Sequence, residues 1–73
     1  MNVQLDNETV EIFAGARVQD VVLKHSKRKY RSARSGKTII VDKNNNPVAL
    51  DGEVSEGQHL YTLSQDKKTG DRS

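Results

Sequence analysis

Gly15-Ala16-Arg17-Val18-Gln19-Asp20-Val21-Val22-Leu23-Lys24-His25-Ser26 is the stretch that decides the fold. Val18, Val21, Val22 and His25 recur at i, i+3, i+4 and i+7, which lines them along one face of a helix. The segment predicts a helix that starts near Arg17 or Val18 and ends near Ser26. Arg17 lacks the side-chain acceptor of a good N-cap, and Asp20 in the first turn partly compensates by complementing the positive helix end. Every other apolar run is short and strand-like, so this is read as the only full-length helix. A lone helix with one apolar stripe must lie on a sheet.

The flanking sequence supplies strands for it. Met1 to Leu5 alternates through Val3 and Leu5, and Thr9 to Phe13 resumes the alternation through Val10 and Ile12. Asp6-Asn7-Glu8 lies between them, and Asn accepts the positive φ of tight turns, so a β-hairpin is expected. Thr38-Ile39-Ile40-Val41 is a β-branched run expected as a buried central strand. Asp42 to Pro47 is a turn by composition, and Val48-Ala49-Leu50 reads as a short strand with an edge position set by Pro47. His59 to Leu63 is the last strand, and alternation alone leaves open whether Leu60 and Thr62 or Tyr61 and Leu63 face inward. Between Lys27 and Gly36, Tyr30 and Ala33 anchor either a loop or a second short helical turn. Gln65 to Ser73 is polar throughout and reads as a disordered tail or linker, leaving one domain at 1–64.

This α+β order, strand-strand-helix-strand-strand-strand, resembles the β-grasp or ubiquitin-like superfamily over about residues 2–64. Phe13-Ala14-Gly15-Ala16-Arg17-Val18-Gln19-Asp20-Val21-Val22 is similar to the strand-to-helix junction of sulfur carriers, TGS domains and soluble-ligand-binding β-grasp domains. Leu50-Asp51-Gly52-Glu53-Val54-Ser55-Glu56-Gly57-Gln58-His59-Leu60 is similar to the turn before that superfamily's last strand. The resemblance implies a mixed four- to five-stranded sheet wrapped around one helix. Arg17 departs from the usual Thr or Ser cap. The carriers and ubiquitins act through a C-terminal Gly-Gly, whereas here Leu63 is followed by Ser64 to Ser73 with a single glycine, Gly70. A sulfur- or ubiquitin-type carrier role is therefore the third reading.

The charge distribution carries more than the net value of +2. Lys24, Lys27, Arg28, Lys29, Arg31, Arg34 and Lys37 fall in one run without an acid, and the rest of the chain balances to −5. These residues, with Tyr30 as a platform for an unpaired base, make RNA or DNA binding the second reading. The plainer account is a solvated helix end, where Lys24, Lys27 and Arg28 favour the negative pole of the helix.

Nothing in the sequence points to catalysis or a cofactor. There is no cysteine, no nucleophile elbow and no Gly-rich phosphate loop. His25 and His59 have no metal-ligand spacing, and Asp51, Glu53 and Glu56 lack the alternation of a calcium loop and read as turn formers. No run approaches the ~20 apolar residues of a membrane span, and Met1 opens no signal sequence, so a cytoplasmic protein is expected. The first reading is a binding module that docks a protein partner through the sheet face or an exposed strand edge.

Overall fold

The computed structural model describes residues 1–64; the expected tail or linker at 65–73 lies outside the described residues. Strand β1 (Asn2–Leu5) and strand β2 (Glu8–Glu11) pair antiparallel around Asp6-Asn7. Both turn residues take positive φ, 52° and 69°, which gives the chain the twist a two-residue hairpin needs. The pairing Val3↔Val10 and Leu5↔Glu8 puts Val3, Leu5 and Val10 on one face. Gln4 and Thr9 share the other, joined by a 2.8 Å bond from Gln4 Nε2 to Thr9 Oγ1. Glu11 is exposed, as the alternation predicts, and Glu8, on the same side as Val10, is exposed at the turn end of the strand.

Helix α1 (Val18–His25) forms where the valine spacing places it. Val18, Val21 and Val22 are buried against Val3, Leu5, Val10 and Ile12 of the hairpin and against Ile40 and Leu60. Removing each such side chain from water is worth about 1.5–3 kcal/mol, and these contacts form the one described core.

The expectation of a single helix is corrected by helix α2 (Lys27–Ser35). Ser26 ends α1, donating its N–H to the Val22 carbonyl at 2.8 Å, and starts α2, its Oγ accepting from Lys29 N–H at 3.3 Å. Gly36, at φ 87°, donates to Ala33, and Lys37 donates to Ser32. That pair of bonds is a Schellman turn and needs the left-handed conformation at Gly36. Tyr30 and Ala33 are the only residues of α2 packed on the core.

Strand β3 (Thr38–Asp42) and strand β4 (His59–Ser64) are antiparallel, and β4 runs parallel to β1. The result is a four-stranded mixed sheet in the order β2-β1-β4-β3 with both helices on one face. Leu60 is fully buried, so Leu60 and Thr62 face inward and Tyr61 and Leu63 face away.

Two further expectations need correction. β3 is an edge strand, not a central one. Its outer edge is partly covered by an irregular segment, with Val48 N–H donating to the Ile40 carbonyl and Asp42 N–H to the Asn46 carbonyl. Val48 to Leu50 forms no strand, so the described order is β-β-α-α-β-β. The carbonyls of Leu50 and Gly52 are committed elsewhere: they accept from Gln19 N–H and Val18 N–H, both at 2.8 Å. A loop backbone thus satisfies the first amides of α1 in place of a capping side chain.

Candidate functional site

The basic run divides between two helices, and the division decides what each cation can do. Lys24, in the last turn of α1, donates from Nζ to the Glu11 carbonyl and ties α1 to the end of β2. Lys29 points to the other side of α2 and pairs with Asp6, Nζ to Oδ2 at 2.8 Å. Both are structural cations. Lys27, Arg28 and Arg31 lie on the exposed side of α2, Arg34 is exposed at the edge of that side next to Tyr30, and Lys37 is exposed just beyond the helix. Among the described residues, Lys27, Arg28, Arg31 and Lys37 make no ion pair or side-chain hydrogen bond.

The solvated helix end accounts for these cations only in part. Lys24 does sit at the negative pole of α1. Lys27, Arg28 and Lys29, however, occupy the first turn of a separate helix that has no acid there. At that end the helix dipole opposes cations, by about 0.3–1 kcal/mol each. Lys27 and Arg31 at i+4, and Arg28, Arg31 and Arg34 at i+3 steps, add like-charge repulsion of about 0.2–0.5 kcal/mol per pair.

Tyr30 is not the open platform that the sequence suggests. Its ring packs against the core, its hydroxyl accepts from Arg34 Nη1 at 2.9 Å, and the Arg34 guanidinium carbon lies 5.7 Å from the ring centroid. The ring face is already engaged by a cation.

The remaining candidates do not converge. His25 sits on the helix layer with Nε2 2.9 Å from Glu8 Oε1, while His59 is exposed on the opposite face of the sheet. His59, Asp42, Lys43, Asn44, Gly57 and Gln58 line a shallow hollow of about 280 Å³. Asp42 there is spent on its own turn: its carboxylate accepts from Asn46 and Asn44 N–H, which holds its pKa below the ordinary value. Glu56 Oε1 accepts from Asn2 N–H and so braces a loop, while Glu53 is exposed and takes part only through its backbone, which pairs antiparallel with that of Arg17. Among the described residues no cluster of His and acidic side chains could hold a metal ion, and no helix is long and apolar enough to cross a membrane.

A sheet face is a docking surface that the sequence suggests without the residues that form it, and the strand register supplies them. Ile39 pairs with Leu63 and Val41 with Tyr61, which sets four apolar side chains on the face opposite the helices. Leu63 is 41% exposed. The β-branched run was the available signal, but only the register with β4 shows which of its residues face outward.

No family model matches the chain, and no curated protein or solved structure matches it. The chemistry of its surfaces is what remains to assign a role.

Proposed function

We propose that this chain is a non-catalytic binding module of β-grasp type that holds the phosphate backbone of a nucleic acid against the outer face of α2. The β-grasp reading is supported by the parallel β1–β4 pair at the sheet centre, with antiparallel partners on either side and α1 across the face. One observation carries the function: Lys27, Arg28, Arg31 and Arg34 share the exposed side of a nine-residue helix that contains no acid. Apart from the contact of Arg34 with Tyr30, the fold gains nothing from them: the dipole acts against Lys27 and Arg28 in the first turn, and the four like charges repel one another. A phosphate backbone reverses both costs, because it places negative charge beside every one of them and releases condensed counterions.

Fluorescence anisotropy with a labelled hairpin RNA bearing a single-stranded tail tests this, since the probe offers both paired and unpaired phosphates. Binding at ~50 mM salt that falls with log[salt] at a slope near −3 supports the proposal. The absence of binding at that salt overturns it.

Docking of a protein partner stands as the second reading, and the outer sheet face favours it over a strand edge. The β2 edge is flanked by Glu8 and Glu11 and gives the Glu11 carbonyl to Lys24, which blunts it against an added strand. The β3 edge is partly filled by residues 46–48. Ile39, Tyr61 and Leu63 offer an apolar surface instead. Proteins retained from source lysate by the natural chain and equally by Leu63→Lys count against this face.

A further inference from the structure

Resting on the phosphate-backbone reading, we infer that α2 binds double-stranded in preference to single-stranded nucleic acid, and without regard to base sequence. Single-strand binders gain affinity by stacking unpaired bases on aromatic rings, at about 1–3 kcal/mol per base. The one aromatic ring of α2 is withdrawn from that task. Tyr30 is half-buried on the core, its hydroxyl is held by Arg34 Nη1 at 2.9 Å, and the guanidinium lies over its ring at 5.7 Å. Phe13 is 63% exposed but belongs to the link between β2 and α1. An unpaired strand therefore meets charge on α2 without a stacking surface.

The layout of the cations suits a rigid row of phosphates. From Lys27 to Arg34 the helix rises about 10.5 Å, while phosphates of one duplex strand advance about 3.4 Å along the axis, so the stripe spans roughly three base-pair steps. At ~100° per residue the four cations cover an arc of about 120°, broad enough to follow one backbone but not to enclose a flexible strand. Both partners are preformed: α2 is capped at each end by Ser26 and Gly36, and duplex phosphates are fixed by base pairing. A single strand must lose chain entropy to match the same spacing. Base-edge reading in a groove relies chiefly on Asn, Gln or Arg placed to make paired hydrogen bonds. α2 has no Asn or Gln, and one of its exposed arginines, Arg34, is tied to Tyr30.

The full chain is titrated by anisotropy with a 20-nucleotide single strand, the matching DNA duplex, the matching RNA duplex and a duplex of scrambled sequence. At ~50 mM salt at least one duplex is expected to bind about fivefold or more tighter than the strand, with the scrambled duplex within twofold of its parent. The two matching duplexes show whether the groove shape of DNA or of RNA suits α2 better. Four neutralised phosphates give a slope near −3.6 for DNA, and Arg31→Gln, at an exposed position, lowers its magnitude by about 0.9 with an unchanged circular dichroism spectrum. Tyr30→Leu is expected to leave single-strand affinity unchanged, because the ring stacks no base. A strand that binds as tightly as the tighter of the two duplexes, or that loses affinity in Tyr30→Leu, overturns the preference while the phosphate reading stands. Discrimination of tenfold or more against the scrambled duplex overturns sequence independence. Absence of binding to every probe overturns the phosphate reading itself, and the preference with it.

Discussion

Lys29 Nζ lies 2.8 Å from Asp6 Oδ2, a contact that joins the second helix to the first hairpin turn. The same carboxylate accepts from Thr62 N–H at 2.9 Å and from Thr62 Oγ1 at 2.7 Å, so one side chain fastens α2, the β1–β2 turn and the central strand β4. All three contacts are partly buried, and charge-assisted bonds of this kind are stronger than neutral ones. Asp6→Ala leaves the Thr62 amide and the Lys29 ammonium without their partner. A loss of about 2 kcal/mol is expected from the urea midpoint at pH 7, with little change in m-value.

The acid limb of stability should report the same residue. Burial works to raise the Asp6 pKa, but the Lys29 bond and the two Thr62 bonds outweigh it, and the carboxyl lies below its ordinary value. A carboxylate with a depressed folded pKa stabilises the fold fully above the unfolded value near 3.9, and that contribution is lost as pH falls through the folded value. The stability difference between the natural chain and Asp6→Asn is therefore expected to be constant from pH 7 to about pH 5 and to shrink below pH 4. A difference that stays constant down to pH 2 contradicts the assignment.

The turn itself leaves room for improvement. Asn7 sits at φ 69° beside Asp6 at φ 52°, and two-residue turns with both residues left-handed favour Gly at the second place. Asn7→Gly relieves the side-chain strain and keeps Asp6 in position. The gain in thermal unfolding is expected to be modest, about 0.5–1 kcal/mol after the entropy cost of glycine.

How much of this was legible in the sequence depended on whether the signal was local. Val18, Val21 and Val22 announced α1 because their burial and their helical spacing have the same cause. Val3, Val10 and the Asp6-Asn7 turn announced the hairpin for the same reason at period two. Helix α2 escaped because its inner face is only Tyr30 and Ala33, and its first turn carries cations where the dipole disfavours them. Ser26 and Gly36, a helix-starting and a helix-ending residue ten apart, were the available clue. Val48 to Leu50 has strand-forming residues, but no local pattern reveals that its backbone serves α1 and the β3 edge. For the candidate site, composition located the cationic run, and only the fold separated the structural Lys24 and Lys29 from the outward Lys27, Arg28 and Arg31.

The start of α1 offers a test in which the usual rule and this structure disagree. Arg17 is the N-cap, and placing Thr or Ser at such a position ordinarily gains about 1 kcal/mol by supplying an acceptor for an orphan amide. Here the orphans are already engaged: Val18 N–H donates to Gly52, Gln19 N–H to Leu50, and Asp20 N–H to the Arg17 carbonyl. The Asp20 carboxylate meanwhile accepts from Arg17 N–H at 2.9 Å. A new hydroxyl finds no free donor, and the substitution also removes the bond from Arg17 Nη1 to the Asp51 carbonyl, which helps hold the capping loop in place. Arg17→Thr is therefore expected to leave stability unchanged within about 0.5 kcal/mol or to lower it. An increase near 1 kcal/mol in chemical denaturation would mean that the 50–52 loop does not cap the helix in solution.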